Sequence, residues 1–254
     1  MERKKLNRKF GLMILLALFF GGLLIFHVNG LFVYQREGNI AWENSRRAKE
    51  MFESVILNAI SDEPYYSEND FGNLAAARVF TANPDLVAYI AIVGTNIGNF
   101  VVQGRDNEHY LTHDANGQPN QNGAIFMDYR NSPNFSDPST IIYGHNMRNG
   151  TMFHDLRHFM QQDFFEAHSQ IIIVQDFHVL TYDIFAAFST SVDFDYIQVD
   201  FAHSIEFQNL IDEMSRRSVI NTGIIATHND RILILSTCTN VREDTRFVIA
   251  ARLQ

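Results

Sequence analysis

The sequence predicts a mostly β protein: a closed β-barrel with helical inserts, preceded by a helical extension and one transmembrane helix. Three observations lead there. An uncharged apolar run follows a basic N-terminus. A stretch with helical periodicity comes next and continues to about Phe80. Beyond Pro84 the chain turns into short runs rich in Val, Ile, Phe and Tyr, separated by Gly, Asn, Asp and Pro clusters.

The first element is a tail over residues 1–9, "MERKKLNRK", with five basic side chains and one acidic, net +4. Residues 10–34, Phe10 to Tyr34, contain no Asp, Glu, Lys or Arg. At helical rise they reach roughly 35 Å, enough for a hydrocarbon core of about 30 Å. A cleaved signal peptide is the competing reading, but its apolar region is shorter, about 7–15 residues, and ends in small residues, unlike "HVNGLF". The run is therefore read as an uncleaved anchor. Basic residues on its N-terminal side place the tail in the cytoplasm and the remainder outside the cell membrane.

The whole chain carries −9, so the part after the tail carries −13. Nucleic-acid binding requires a basic footprint, and so acidity of this size excludes that class of partner. With 46% hydrophobic and 19% charged residues the chain has the apolar matter for a packed core. The one cysteine, Cys238, leaves no intrachain disulfide to form.

Residues 35–83 form the predicted helical extension. Trp42, Ala48, Met51, Phe52, Val55, Ile56 and Ala59 recur mostly at three- and four-residue spacing. Pro64 in "SDEPYY" stops the pattern, and "FGNLAAARVFTANP" predicts a second short helix before Pro84. Residues 84–254 form the predicted barrel. Its strand candidates are "DLVAYIAIVG", "GNFVVQG", "EHYLTHD", "GAIFMDY", "STIIYGHN", "SQIIIVQ", "HVLTYDIFAAFSTS", "RILILSTC" and "RFVIAARL". Two helical inserts are expected, "MFHDLRHFMQQDFFEAH" and "SIEFQNLIDEMSRRS".

Three residues at predicted strand ends have the chemistry of thiol catalysis. Cys238 closes "RILILSTC", His145 closes "STIIYGHN" and Arg246 opens "RFVIAARL". A nucleophilic thiol needs a proton-transfer partner and a positive charge for the oxyanion. Each has an ordinary reading as well: a buried thiol packing as a small hydrophobe, a surface imidazole, a solvated strand-end cation. Spacing alone does not bring them together.

Two other motifs invite a metal. "HDLRH" sets His154 and His158 four apart, but a zinc peptidase helix of this kind carries Glu where Asp155 stands. "DFDYIQVD" lacks the ligand order of a calcium loop. No metal and no cofactor is expected.

"ILSTC" around Cys238, "IIYGHNM" around His145 and the strand start at Arg246 resemble sortases, the membrane-anchored cysteine transpeptidases of Gram-positive bacteria. "VVQGRDNEHYL", "GAIFMDYRN" and "GTMFHDLRHF" narrow the resemblance to class B, over roughly Trp42 to Gln254. The resemblance implies a sortase-type barrel as the catalytic domain. Cys238 would attack the carbonyl after the Thr of a C-terminal sorting signal on a secreted protein. An amine of the peptidoglycan precursor or cross-bridge would resolve the thioacyl enzyme. His145 would move the protons and Arg246 would hold the oxyanion. Asn107, Leu111 and Ser236 match positions lining the sorting-signal groove.

The sequence departs from the family pattern at Ile234, where Thr is frequent, and at Thr239, where an acidic residue is frequent. Arg242 competes with Arg246, which is preferred because it directly precedes "FVIAAR". A pilin-polymerising sortase with a Lys side chain as acceptor is the alternative. "NDFGN" contains the aspartate-aromatic pair of a pilin-type lid, but in a helical context. A non-catalytic tethered module is the third reading, against which the complete Cys, His and Arg set stands.

Overall fold

The computed structural model describes the backbone of residues 2–59, 83–175, 178–191, 193–238 and 245–254. Side chains are described over the same residues except 2–9, 54–56, 58, 59 and 238. The second predicted helix of the extension, the "NDFGN" motif, Thr239 and Arg242 lie outside the described residues.

The chain forms two compact units, Met1–Ile40 and Ala41–Gln254. The first is helical, being the early part of α1 (Glu2–Ala59). It is the one helix among the described residues long and apolar enough to cross a membrane, and Phe10, Leu15, Phe20, Ile25 and Phe32 are all exposed on it. Apolar side chains all round a helix suit a hydrocarbon surrounding and not water.

The second unit is a closed eight-stranded barrel. Its strands are β1 (Leu86–Ala91), β2 (Gly98–Val102), β3 (Ile125–Met127), β4 (Ser139–His145), β5 (Gln170–Gln175), β6 (His178–Ser191), β7 (Ile232–Cys238) and β8 (Thr245–Leu253). They close in the order β1-β2-β3-β4-β7-β8-β6-β5. Pairing is antiparallel except at β2–β3 and β4–β7, which are parallel. Two helices interrupt the strands, α2 (Gln162–Ala167) and α3 (Ser204–Arg217). The connection containing α3 returns the chain so that β7 can lie parallel to β4.

The central strands read as continuous apolar runs because both of their faces are covered. Ile232 and Ile234 of β7 join a cluster that includes Ile211 and Met214 of α3 and Ala48 and Phe52 of α1. Leu233 and Leu235 join the cluster on the opposite face, with Phe153, Leu156 and Phe159. The later part of α1 docks with a helical stripe. Ala41, Ala48 and Phe52 are buried, and the Phe52 ring stacks on Tyr89 at 4.5 Å. Ser45 donates to the Gly98 carbonyl at 2.9 Å and Lys49 to the Thr95 carbonyl at 3.0 Å.

Two expected elements differ. "EHYLTHD" is not a strand but a 3-10 helix, His109–Leu111. Local bonding explains this: the Asp106 carboxylate accepts the backbone N–H of Glu108 and of His109 at 2.9 Å each, which curls the chain. Tyr110 is buried, its hydroxyl bound to Asp85 and Asn83, and burial first of all pushes its phenol up to about 12. The first insert is also split. His154–Met160 is a 3-10 helix, and α2 begins only after extended Gln161.

Candidate active site

The parallel ladder between β4 and β7 runs from Ser139↔Ile232 to His145↔Cys238. His145 and Cys238 therefore occupy one rung although they are far apart in sequence. On the other side of β7 the antiparallel ladder to β8 pairs Leu235 with Ile249 and Ser236 with Val248. Past that pair the Phe247 N–H donates to the side chain of Thr237, Oγ1, at 3.0 Å. The backbone thus sets His145 and Cys238 on one rung, and Arg246 near the start of β8, the strand that runs antiparallel beside β7. A rigid sheet fixes such positions better than a loop does.

The His145 imidazole is half-buried and its Nε2 lies 2.8 Å from the Leu111 carbonyl. A carbonyl only accepts, so Nε2 carries a hydrogen. Nδ1 is left as the other ring nitrogen, and among the described residues it is buried without a hydrogen-bond partner. An imidazole held at Nε2 with its other nitrogen shielded from water is arranged for proton transfer at Nδ1.

Close backbone approach makes this possible at two glycines. Gly123 has φ +62, and a Cβ there would lie 2.6 Å from the Tyr110 carbonyl, 2.9 Å from that of Leu111 and 3.0 Å from the His145 ring. At Gly144 a Cβ would meet Ile125 and the Phe153 ring below 3 Å. Arg246 is half-buried at the start of β8, with Nη1 donating to the Thr245 carbonyl at 3.2 Å.

The three residues expected in the groove have distinct surroundings. Asn107 is clamped: its Nδ2 donates to Asp128 at 3.0 Å and its Oδ1 accepts the Tyr129 N–H at 3.0 Å. Leu111 packs its side chain on the core while its carbonyl holds His145. Ser236 is 2% exposed, and its hydroxyl lies 2.7 Å from that of Tyr196.

Sequence reasoning missed a polar cluster two residues along β4 from His145. Tyr143 donates to Asp128 at 2.9 Å, and Arg130 binds the same carboxylate through Nε and Nη2 at 2.9 and 2.8 Å. Burial opposes the charge on Asp128, but Arg130, Tyr143 and Asn107 outweigh it and hold the carboxyl below its ordinary range. Burial, followed by the Asp128 charge, pushes the Tyr143 phenol far up. The signal was present as Asp128 and Arg130 directly after an apolar strand in "GAIFMDYRN".

His154, Asp155 and His158 bring potential ligand atoms within 4.8 Å of one another. Asp155 already accepts the Asn96 N–H at 2.7 Å and attracts the Lys49 ammonium. Burial and then Arg157 hold the His154 imidazole below its usual range. Two cations beside the cluster disfavour a divalent ion there.

A closed barrel that pairs a cysteine with a histidine at the ends of two parallel strands, with an arginine near the start of the next strand, suits the class of cysteine-dependent acyl-transfer enzymes. The Sortase domain model matches residues 91–254. Sortase B of Listeria monocytogenes is 36% identical over 173 residues, 67% of this chain and 70% of that protein. Sortase B of Staphylococcus aureus is 35% identical over 173 residues, 67% of this chain and 71% of the relative. The solved Staphylococcus aureus sortase B–substrate complex aligns with a TM-score of 0.72 and 30% identity, covering 84% of this chain and 95% of the other. The chain belongs to the sortase family, as a cysteine transpeptidase of class B.

Proposed function

We propose that this transpeptidase cuts the C-terminal sorting signal of secreted proteins after a Thr and joins the new carboxyl end to a peptidoglycan amine. The observation carrying this reading is the shared rung of His145 and Cys238, with Arg246 near the start of the strand beside β7. The Cys238 thiol gives its proton to His145 Nδ1, the resulting thiolate attacks the Thr carbonyl carbon, and the carbonyl electrons move onto oxygen. Arg246 supplies the cation that stabilises that oxyanion. Collapse of the intermediate breaks the C–N bond, and the protonated His145 Nδ1 delivers its proton to the leaving amine. The acceptor amine then attacks the thioester, gives a proton back to Nδ1 and releases the thiolate. A thiol suits this sequence because its thioester persists until an amine arrives.

Asn107, Leu111 and Ser236 belong to the wall of the peptide groove in this reading. The basic tail favours a cytoplasmic N-terminus and an extracellular barrel. We divide the chain accordingly into a tail at 1–9, an anchor at 10–34, an extension at 35–83 and the catalytic barrel at 84–254.

The test is turnover of a panel of sorting peptides by the full-length chain in detergent, with and without amine acceptors, followed by mass spectrometry. Cleavage after Thr with amine-dependent formation of the ligated product is expected. Cleavage at another bond, or a product indifferent to amine, contradicts the reading. Protease added to intact protoplasts should digest the barrel, and protection that ends only on lysis would reverse the orientation.

A further inference from the structure

Asp128 stands one residue beyond β3, and its side chain is 0% exposed. Its Oδ1 accepts the backbone N–H of Arg130 at 3.0 Å and the Arg130 Nε at 2.9 Å. Its Oδ2 accepts Arg130 Nη2 at 2.8 Å, Tyr143 Oη at 2.9 Å and Asn107 Nδ2 at 3.0 Å. A carboxylate has about four lone-pair sites, so none of its bonding capacity is spare.

These partners come from separate parts of the chain. Asn107 lies in the segment that continues to Leu111, whose carbonyl holds His145. Tyr143 belongs to β4 and is paired in register with Ser236 of β7. Arg130 reaches on to the Ile197 carbonyl at 3.2 Å, beside the Tyr196 that bonds Ser236. Hydrogen bonds, one strand pairing and one chain step therefore close a ring: Asp128 to Tyr143, across the ladder to Ser236, to Tyr196, along the chain to Ile197, and through Arg130 back to Asp128.

We propose that Asp128 is a positioning residue for the peptide groove: its carboxylate fixes Asn107, Arg130 and Tyr143 as one unit and so sets the segments 103–108 and 193–201 relative to β4. The inference rests on the sorting-peptide reading and extends it. Asp128 touches neither the reacting atoms nor the peptide. It acts on how well the groove is formed before substrate arrives, which governs KM more than kcat. Its three side-chain partners, Asn107, Arg130 and Tyr143, would be left without the acceptor they share, so its loss loosens both segments together.

The test uses the full-length chain in detergent with Asp128→Asn, which keeps the side-chain size. KM for the sorting peptide should rise about ten- to a hundredfold, the range of one lost hydrogen bond to a charged group. The value of kcat and the rate of Cys238 alkylation by iodoacetamide should stay within about threefold, because Tyr110, bound to Asp85 and Asn83 and through its carbonyl to the Ala124 N–H, anchors Leu111 independently of Asp128. Amide hydrogen exchange should quicken in 103–108 and 193–201 but not in β5 and β6. An unchanged KM, or kcat and alkylation falling together, overturns the proposal. If Asp128→Asn does not fold, Arg130→Gln leaves Asp128 bonded to Asn107 and Tyr143. It should raise KM severalfold and quicken exchange in 193–201 alone, and unchanged values for both overturn the proposal equally. If the wild type turns over no peptide, the sorting-peptide reading fails by itself, and the exchange pattern decides the positioning claim: segments as protected in Asp128→Asn as in the wild type would sink it.

Discussion

Gly123→Ala separates backbone strain from damage to the site, because the chain supplies its own control. Gly123 and Gly117 both have positive φ, +62 and +74. Placing Ala in the left-handed region costs about 1–2 kcal/mol at either position. For a chain of this size that corresponds to a fall in Tm of about 2–8 °C. The two differ in what the new Cβ meets. At Gly117 nothing lies within 4 Å. At Gly123 the Cβ would sit 2.6 and 2.9 Å from the carbonyls of Tyr110 and Leu111 and 3.0 Å from the His145 ring. The two carbonyls are backbone atoms, and that of Leu111 holds the His145 Nε2. Relief requires the carbonyl to retreat by several tenths of an ångström, and a misplacement of about 1 Å in a catalytic geometry can cost 10²-fold in rate. Gly117→Ala should therefore lose only stability, and Gly123→Ala should also lose about ten- to a hundredfold in kcat per folded molecule. The assay is peptide turnover normalised to the folded fraction by near-ultraviolet circular dichroism. Equal turnover in the two variants would refute the argument that the Leu111 carbonyl holds His145 for catalysis.

Two further outcomes are expected. Arg246→Ala should reduce turnover about 10²–10³-fold, the usual loss for one oxyanion donor, while Arg242→Ala should do much less; the reverse order in steady-state kinetics would reassign the role to Arg242. Phe52→Ala removes a buried ring stacked 4.5 Å from Tyr89 where α1 docks on the barrel. It should cost about 3–5 kcal/mol in denaturant unfolding with turnover of the folded fraction unchanged, and near-wild-type stability would mean that α1 contributes little to holding the barrel.

The strands were legible because their local chemistry agrees with their environment. "RILILSTC" and "STIIYGHN" are apolar on both faces, and the structure covers both faces. The helix at 204–217 was legible too, since Phe207, Leu210, Ile211 and Met214 recur at helical spacing and are all buried. "EHYLTHD" was not, because its Tyr and Leu mimic a strand while the deciding contacts are two backbone N–H bonds to the Asp106 side chain. What joins His145 to Cys238 is a parallel ladder reached through a long connection, and no local pattern encodes that register. The residues came to notice through strand-end chemistry and family motifs. Asp128 escaped notice for the same reason of distance: its meaning depends on Asn107, Arg130, Tyr143 and, through Arg130, Ile197 meeting in space.

The claim that Cys238 is the nucleophile of an acyl transfer is tested most directly by the mass of the intact protein after mixing with a sorting peptide in the absence of amine. Wild-type protein should gain the mass of the acyl fragment, located on Cys238 by peptide mapping and discharged when an amine is added. Cys238→Ala should gain nothing and stay folded, because replacing one thiol at a strand end opens no core cavity of the kind that unfolds a barrel. An adduct on any other residue, or peptide turnover by Cys238→Ala, would contradict the assignment.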